Sequence, residues 1–148
     1  MKIAIHITDP AIRCWNFGEP ERERLQRGLP DAELSVCAGE GEFLERLPEA
    51  DIALVWRFRS AWLQRAPRLQ WVATPAAGRE YLPFPGDRVR KTYGAFHGPL
   101  IAETVLGMML STGRGLLGWA GEAKAEAWPK AALADGMRLL AGSQVTVL

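Results

Sequence analysis

The stretch Asp51-Ile52-Ala53-Leu54-Val55-Trp56 decides the fold. It is a nearly continuous apolar run of about the length of one strand, and such runs are typical of parallel strands covered on both faces. Helical patterns begin near Gly18, Glu42 and Ser60. Between and beyond them lie four other short apolar or alternating runs that we predict to be strands: 2–7, 33–37, 69–74 and 89–93.

This alternation of strands and helices predicts an α/β fold, with a flavodoxin-like, doubly wound, parallel five-stranded sheet. In such sheets, ligands bind at the carboxyl ends of the strands. We therefore expect the functional residues in the segments that follow strands: 8–14, 57–59 and 75–80.

The composition excludes several classes of function. The net charge of +1 gives no global attraction to nucleic acid or to a membrane surface. Cys14 and Cys37 form neither a disulfide framework nor part of a Cys/His cluster, so we predict no metal site. No signal peptide and no convincing membrane span is evident, which makes a cytoplasmic enzyme the default expectation.

The longest helical pattern, at 99–119, is apolar around most of its circumference. Such a helix is buried on more than one side. One side could pack on the sheet, and the other needs a second domain or a second subunit, so we predict a homodimer through this helix. We accordingly divide the chain into a substrate domain at 1–98, a linking helix and interdomain or dimer segment at 99–142, and a closing strand at 143–148.

The closing residues Ser143-Gln144-Val145-Thr146-Val147-Leu148 have the β-branched, apolar character of a strand. In dinucleotide-binding folds, such a strand runs into a glycine-rich turn that holds the cofactor pyrophosphate. The sequence stops before any such turn. We therefore expect a truncated chain, which ends in the first strand of a missing Rossmann domain.

Three segments together resemble the D-isomer-specific 2-hydroxyacid dehydrogenases. The first is Ala50-Asp51-Ile52-Ala53-Leu54-Val55-Trp56, followed by a helix and Pro67-Arg68-Leu69-Gln70-Trp71-Val72. The second, Ala76-Ala77-Gly78-Arg79-Glu80, is similar to the family's Gly-Ala-Gly-Val-Asp turn. The third, Gly94-Ala95-Phe96-His97-Gly98-Pro99-Leu100-Ile101-Ala102-Glu103, resembles the entry into the helix that links the family's two domains. Trp128-Pro129 falls where the glyoxylate/hydroxypyruvate reductase branch has similar features.

The resemblance implies a function for the intact protein. It would be an NAD- or NADP-dependent oxidoreductase that interconverts small 2-keto acids and D-2-hydroxy acids, and this chain would be its substrate-side domain. The family's catalytic arginine, acidic residue and histidine would lie beyond Leu148, so no catalytic residue is assigned, and neither His6 nor His97 takes their place. We expect the fragment alone to be inactive and to bind no cofactor.

The resemblance also implies roles for particular residues. The Ala77-Gly78 turn would hold the substrate carboxylate, and Thr104 would face the cofactor cleft. The turn departs from the family pattern, since Ala76 replaces a glycine, Arg79 a small apolar residue and Glu80 an aspartate. An ordinary glycine turn remains the alternative interpretation.

Arg57 is a further candidate for binding the substrate carboxylate. It follows the third predicted strand, and a guanidinium can bind both oxygens of a carboxylate. Between residues 57 and 91 there are eight basic residues and two acidic ones, which fits either a positive rim or ordinary solvated faces. Arg59 and Arg79 compete for the role.

Two functions of another class remain open. A receiver-like signalling module would need an aspartate at the end of the third strand, where this chain has Trp56-Arg57. A non-enzymatic α/β module could instead bind an anion without converting it and dimerise through the long helix.

Overall fold

The computed structural model describes residues 1–116, 134 and 137–146. These residues form two compact units, Met1–Ala95 and Phe96–Leu148. The three-part division predicted from the sequence stays a prediction, and Trp128-Pro129 lies outside the described residues.

The first unit contains a parallel sheet of five strands in the order β2-β1-β3-β4-β5. This order is that of flavodoxin-like folds. The chain adds β2 on one side of β1 and β3 on the other, so the order of strand addition reverses between β1 and β3. The predicted fold class is therefore confirmed. The strands are those predicted, each slightly shorter than its apolar pattern: β1 Lys2–His6, β2 Glu33–Val36, β3 Ile52–Val55, β4 Trp71–Ala73 and β5 Arg90–Thr92.

The sheet is covered on both faces, as the apolar run in β3 predicts. Ala53 and Val55 belong to one core cluster, which includes Phe43, Phe58 and Trp62. The other face carries a smaller cluster of buried residues, in which Ile52 packs with residues of β1: Ile3 and Ile5. Neighbouring residues of a strand point to opposite faces, so both clusters draw on the same strands.

The helices of the first unit are α1 at Glu19–Gly28 and α2 at Glu40–Arg46. Pro20 lies in the first turn of α1, and the Glu21 carboxylate accepts a hydrogen bond from the Gly18 N–H at 3.0 Å, which satisfies a donor that the helix leaves free. Short 3-10 helices span Arg13–Trp15, Leu47–Glu49, Ser60–Arg65 and Arg79–Tyr81.

Ser60 does not cap a helix, contrary to the sequence prediction. Its segment forms a 3-10 helix in which Arg59 occupies the N-cap position. The Ser60 hydroxyl donates instead to the carbonyl of Pro83 at 3.0 Å. The hydroxyl ties the segment after β3 to the loop before β5, a contact that local sequence patterns do not reveal.

The second unit begins with α3, which spans His97–Gly113. No residue of α3 is buried, and most of its large apolar side chains are exposed. Residues 117–119 of the predicted helix lie outside the described residues. Gly115 follows the helix with a φ of 68°, a left-handed conformation that favours glycine.

The predicted closing strand is not seen in its described part. Residues 143–146 have no strand pairing, and residues 147 and 148 lie outside the described residues. A strand forms only against a neighbouring strand. The assignment of these residues to another domain therefore stays a prediction. Among the described residues, no helix combines the length and apolar character needed to span a membrane.

Candidate substrate-carboxylate site

The turn after β4 is fixed by the side chain of Thr74. Its hydroxyl donates to the carbonyl of Trp56 at 2.8 Å and accepts from the N–H of Ala76 at 3.1 Å. The N–H of Gly94 also donates to the Ala76 carbonyl at 2.9 Å, which ties the turn to the chain beyond β5. The turn that resembles the family motif is therefore held from both sides.

The turn offers free backbone donors. Gly78 is the N-cap of the 3-10 helix Arg79–Tyr81, and the first N–H groups of such a helix have no partner within it. Among the described residues, no hydrogen bond uses the amides of Ala77 or Gly78. Successive free N–H groups of this kind can bind a carboxylate or another small anion.

Arg57 contacts the short helix that follows this turn, and its role in binding a carboxylate stays a prediction. Its guanidinium carbon is 5.0 Å from the centre of the Tyr81 ring, and Tyr81 ends the same short helix. The backbone adds a second link, since the Phe58 N–H donates to the Tyr81 carbonyl at 2.9 Å. The structure thus brings Arg57 against the short helix that follows Ala77 and Gly78, although the Ser60–Arg65 segment and β4 lie between them in sequence.

The two competing arginines are used differently. Arg59 forms an ion pair with Glu40 at 3.0 Å, and its guanidinium carbon lies 5.4 Å from the centre of the Trp62 ring. Arg79 is exposed, and its side chain forms no hydrogen bond with another described residue. Of the three, Arg57 is the one whose guanidinium lies against Tyr81, which ends the short helix after the turn.

Sequence reasoning missed the position of Glu80. Its carboxylate lies so close to the Cα of Gly78 that a Cβ at Gly78 would overlap it. The φ of Gly78 is −75°, so its backbone conformation alone does not require glycine. A negative group therefore occupies the space over the turn. The sequence signal was the replacement of the family's aspartate by a longer acidic residue.

A pair of tryptophans next to Arg57 was also missed. The rings of Trp15 and Trp56 have centres 5.4 Å apart, and the Trp56 indole N–H donates to the Trp15 carbonyl at 2.9 Å. Trp15 lies in the loop after β1, and Trp56 directly follows β3. The pair therefore lies between the ends of β1 and β3, where the strand order reverses and where ligands bind in such sheets.

Thr104 and His97 belong to the second unit. The Thr104 hydroxyl donates to the carbonyl of Leu100 at 2.9 Å, within α3. The His97 Nδ1 is buried and has no hydrogen-bond partner among the described residues, while its ring stacks on that of Phe96 at 4.2 Å. The cofactor role of Thr104 stays a prediction.

The described residues do not fit a dinucleotide pyrophosphate. Gly113, Gly115 and Gly118 have the Gly-x-Gly-x-x-Gly spacing, but Gly113 ends α3, and Gly118 lies outside the described residues. The dinucleotide fingerprint requires a strand before the first glycine and a helix after it. No step of a reaction is therefore assigned to a cofactor here. No metal-binding group of three or more suitable side chains occurs among the residues that the structure describes.

Solved structures show which proteins have this fold. An NAD-dependent formate dehydrogenase from Staphylococcus aureus in complex with NAD is 15% identical with a TM-score of 0.66, over 93% of this chain and 46% of that one. A D-isomer-specific 2-hydroxyacid dehydrogenase family protein from Aeromonas salmonicida is 25% identical with a TM-score of 0.65, over 86% of this chain and 40% of that one. The chain is structurally similar to the D-isomer-specific 2-hydroxyacid dehydrogenases.

The resemblance predicted from the sequence is confirmed by these structural relatives. An acyclic imino acid reductase in complex with NADPH and D-Arg shares the fold more distantly, at 18% identity and a TM-score of 0.56, over 87% of this chain and 43% of that one. The chain thus spans less than half the length of each of these structures. No protein-family model matches the chain, and no curated protein matches it in sequence.

Proposed function

We propose that this chain is the substrate-side domain of an NAD- or NADP-dependent oxidoreductase that interconverts 2-keto acids and D-2-hydroxy acids. The observation that carries the proposal is the contact of Arg57 with Tyr81, which ends the short helix after Ala77 and Gly78, at the carboxyl edge of a sheet shared with such dehydrogenases. The structural relatives include proteins in complex with NAD and with NADPH, which supports the cofactor class.

The proposed role of the site is to bind and orient the substrate carboxylate. The free amides of Ala77 and Gly78 donate to the carboxylate, and the guanidinium of Arg57 supplies the positive charge. Tyr81 holds Arg57 by stacking, with 5.0 Å between the guanidinium carbon and the ring centre. Glu80 is exposed, so solvent leaves room for its carboxylate to rotate away from Gly78 when the substrate binds.

We propose that the 148 residues alone have no dehydrogenase activity. Their described part has no strand, turn and helix arrangement that would hold a dinucleotide, and we assign no catalytic acid or base among them. Purified 148-residue protein should oxidise neither NADH nor NADPH in the presence of a 2-keto acid. Turnover above the protein-free background would contradict this part of the proposal.

We further propose that α3 mediates a homodimer. Most of its large apolar side chains are exposed, and clustered exposed apolar side chains mark interfaces. The sequence has the same implication, because the helix is apolar around most of its circumference.

The proposed reaction is tested on the natural protein that carries this chain. Purified protein is assayed with NADH and NADPH against glyoxylate, hydroxypyruvate and phenylpyruvate, and the chiral products, glycerate and phenyllactate, are analysed on a chiral column. Phenylacetone, which has the ketone of phenylpyruvate but no carboxylate, is the matched control substrate. We expect oxidation of the nucleotide with a 2-keto acid, a D-2-hydroxy acid as product, and no turnover of phenylacetone. Absence of turnover with every keto acid, or an L-product, would overturn the proposal.

A further inference from the structure

Trp15 has an exposed side chain, although its backbone carbonyl accepts a hydrogen bond from the Trp56 indole. Its side chain lies in the 3-10 helix Arg13–Trp15 after β1, and the residue is 48% exposed. A tryptophan that contributed only to stability would be expected to bury more of its large apolar ring. The exposed ring is therefore available to contact a ligand.

Two polar side chains fix the loop that carries Trp15. The Asp9 carboxylate accepts hydrogen bonds from the amides of Ala11 and Ile12, each at 2.8 Å. The Asn16 side chain accepts from the Asp9 N–H at 2.7 Å and donates to the carbonyls of Asp9, Ile12 and Arg13 at 3.0 Å. These bonds order the backbone on both sides of Trp15. The backbone that carries the ring therefore has a defined course without the contacts of a buried core.

The ring is anchored next to the candidate carboxylate site. It packs against Trp56 with 5.4 Å between ring centres, and the Trp56 indole N–H donates to the backbone carbonyl of Trp15. Trp56 is the residue before Arg57, and its own carbonyl accepts from Thr74, which fixes the turn. An apolar aromatic surface and the groups proposed to bind the carboxylate are thus connected through one residue, Trp56.

We propose that Trp15 forms a wall of the substrate side-chain pocket and selects 2-keto acids with an aromatic side chain over glyoxylate. The inference rests on the proposed function and adds a substrate class to it. A 2-keto acid with a 3-aryl group, such as phenylpyruvate, carries a carboxylate at one end and an aromatic ring at the other. Arg57 and the turn bind the carboxylate, and the face of Trp15 packs on the aromatic ring of the substrate.

The test compares phenylpyruvate with glyoxylate in the natural protein, using kcat/KM for each. Trp15→Ala removes the ring but keeps the backbone carbonyl that accepts from Trp56, and Trp15→Phe keeps an aromatic face. Leu29→Ala is the control, since Leu29 is an exposed apolar residue that follows α1 outside the carboxyl-edge loops.

We expect the wild-type protein to favour phenylpyruvate. Trp15→Ala should lower its kcat/KM for phenylpyruvate by about ten- to a hundred-fold, as for the loss of apolar pocket contacts, with glyoxylate little changed. Trp15→Phe should restore most of the preference, and Leu29→Ala should leave both values unchanged. An unchanged ratio in Trp15→Ala, an equal loss with both substrates, or a wild-type preference for glyoxylate would overturn the inference.

A binding measurement separates this inference from the proposed function. Calorimetry with D-phenyllactate and glycolate requires no turnover. Absence of keto-acid reduction by the wild-type protein would refute the proposed function. Binding of D-phenyllactate that is independent of Trp15 would refute the inference even where keto acids are reduced.

Discussion

The hydroxyl of Thr74 connects the ends of β3 and β4 through the carbonyl of Trp56. The donor–acceptor distance is 2.8 Å, and the same oxygen accepts from the N–H of Ala76. Thr74 is only 5% exposed, so water does not readily replace its hydroxyl as the partner of these groups. One side chain thereby sets the spacing between Arg57, which follows Trp56, and the turn at Ala77 and Gly78.

Replacement of Thr74 by valine tests this connection. Valine has the same shape, but it leaves the Trp56 carbonyl and the Ala76 N–H without partners. We expect the free energy of unfolding to fall by about 1–3 kcal/mol, the cost of leaving buried polar groups unpaired. Urea denaturation measures the change, and Thr74→Ser, which keeps the hydroxyl, is the control. A valine variant as stable as wild type would show that the bonds contribute little.

Glu80→Gln tests whether the Glu80 carboxylate competes with the substrate. The carboxylate lies against Gly78, where it repels an incoming anion. We expect the neutral variant to lower KM for 2-keto acids by about two- to fivefold, the size of an exposed charge interaction. The effect should shrink at high salt, since exposed charges are screened. A KM that rises in Glu80→Gln would mean that the carboxylate supports the site.

Asp51 makes the stability of the first unit sensitive to acid. The backbone N–H of Lys2 at 2.8 Å, and next the Arg68 guanidinium at 3.1 Å, hold the pKa of the Asp51 carboxyl below its ordinary value. A depressed carboxyl pKa contributes stability that is fully present above the unfolded-state value of about 3.9 and is lost as pH falls through the folded-state pKa.

We therefore expect Asp51→Asn to be less stable than wild type near neutral pH and to lose less stability between about pH 5 and pH 2. Thermal unfolding across this pH range measures both effects. Asp31→Asn is the matched control, because Asp31 is exposed and forms no salt bridge among the described residues. Parallel acid profiles of wild type and Asp51→Asn would contradict the assignment.

Ile101→Lys tests the proposed dimer. Ile101 is 59% exposed on α3, and an ammonium placed in an apolar interface costs several kcal/mol when unpaired. We expect the association constant to fall by about a hundred-fold or more in sedimentation velocity. Thr112→Lys adds the same charge at an exposed polar position of the helix and should have a smaller effect. Wild-type protein that stays monomeric at high concentration would contradict the dimer itself.

The sheet was predictable because its evidence is local. The apolar run from Ile52 to Val55 predicts a strand covered on both faces, and Pro20 and Glu21 predict the start of a helix. Each prediction depends only on residues within the segment itself. The sequence also indicated Arg57 and the turn, since both follow strands whose carboxyl ends share one edge. Ser60 failed as a cap because its partner, Pro83, is distant in sequence.

The side-chain contacts around the candidate site could not be predicted from local sequence patterns. The stacking of Trp15 on Trp56 and the position of Glu80 over Gly78 are side-chain arrangements that depend on how loops fold back. Asp9 and Asn16 are residue types that favour local hydrogen bonds to the backbone, and they were the available signal that the loop after β1 is ordered.

The most direct test of the account compares Arg57→Ala with Arg59→Ala in the natural protein, using kcat/KM for a 2-keto acid. Arg59 is the matched control, since it pairs with Glu40 at 3.0 Å. A hydrogen bond to a charged group contributes about 1.5–3 kcal/mol. Arg57→Ala should therefore lower kcat/KM by about ten- to a hundred-fold.

The conservative variant refines this comparison. Arg57→Lys should recover only part of the loss, because an ammonium cannot bind both carboxylate oxygens as the guanidinium does. Arg59→Ala should change kcat/KM much less than Arg57→Ala. Equal losses in the two alanine variants would mean that only the general positive charge matters, and no loss in Arg57→Ala would contradict the central claim that this residue anchors the substrate carboxylate.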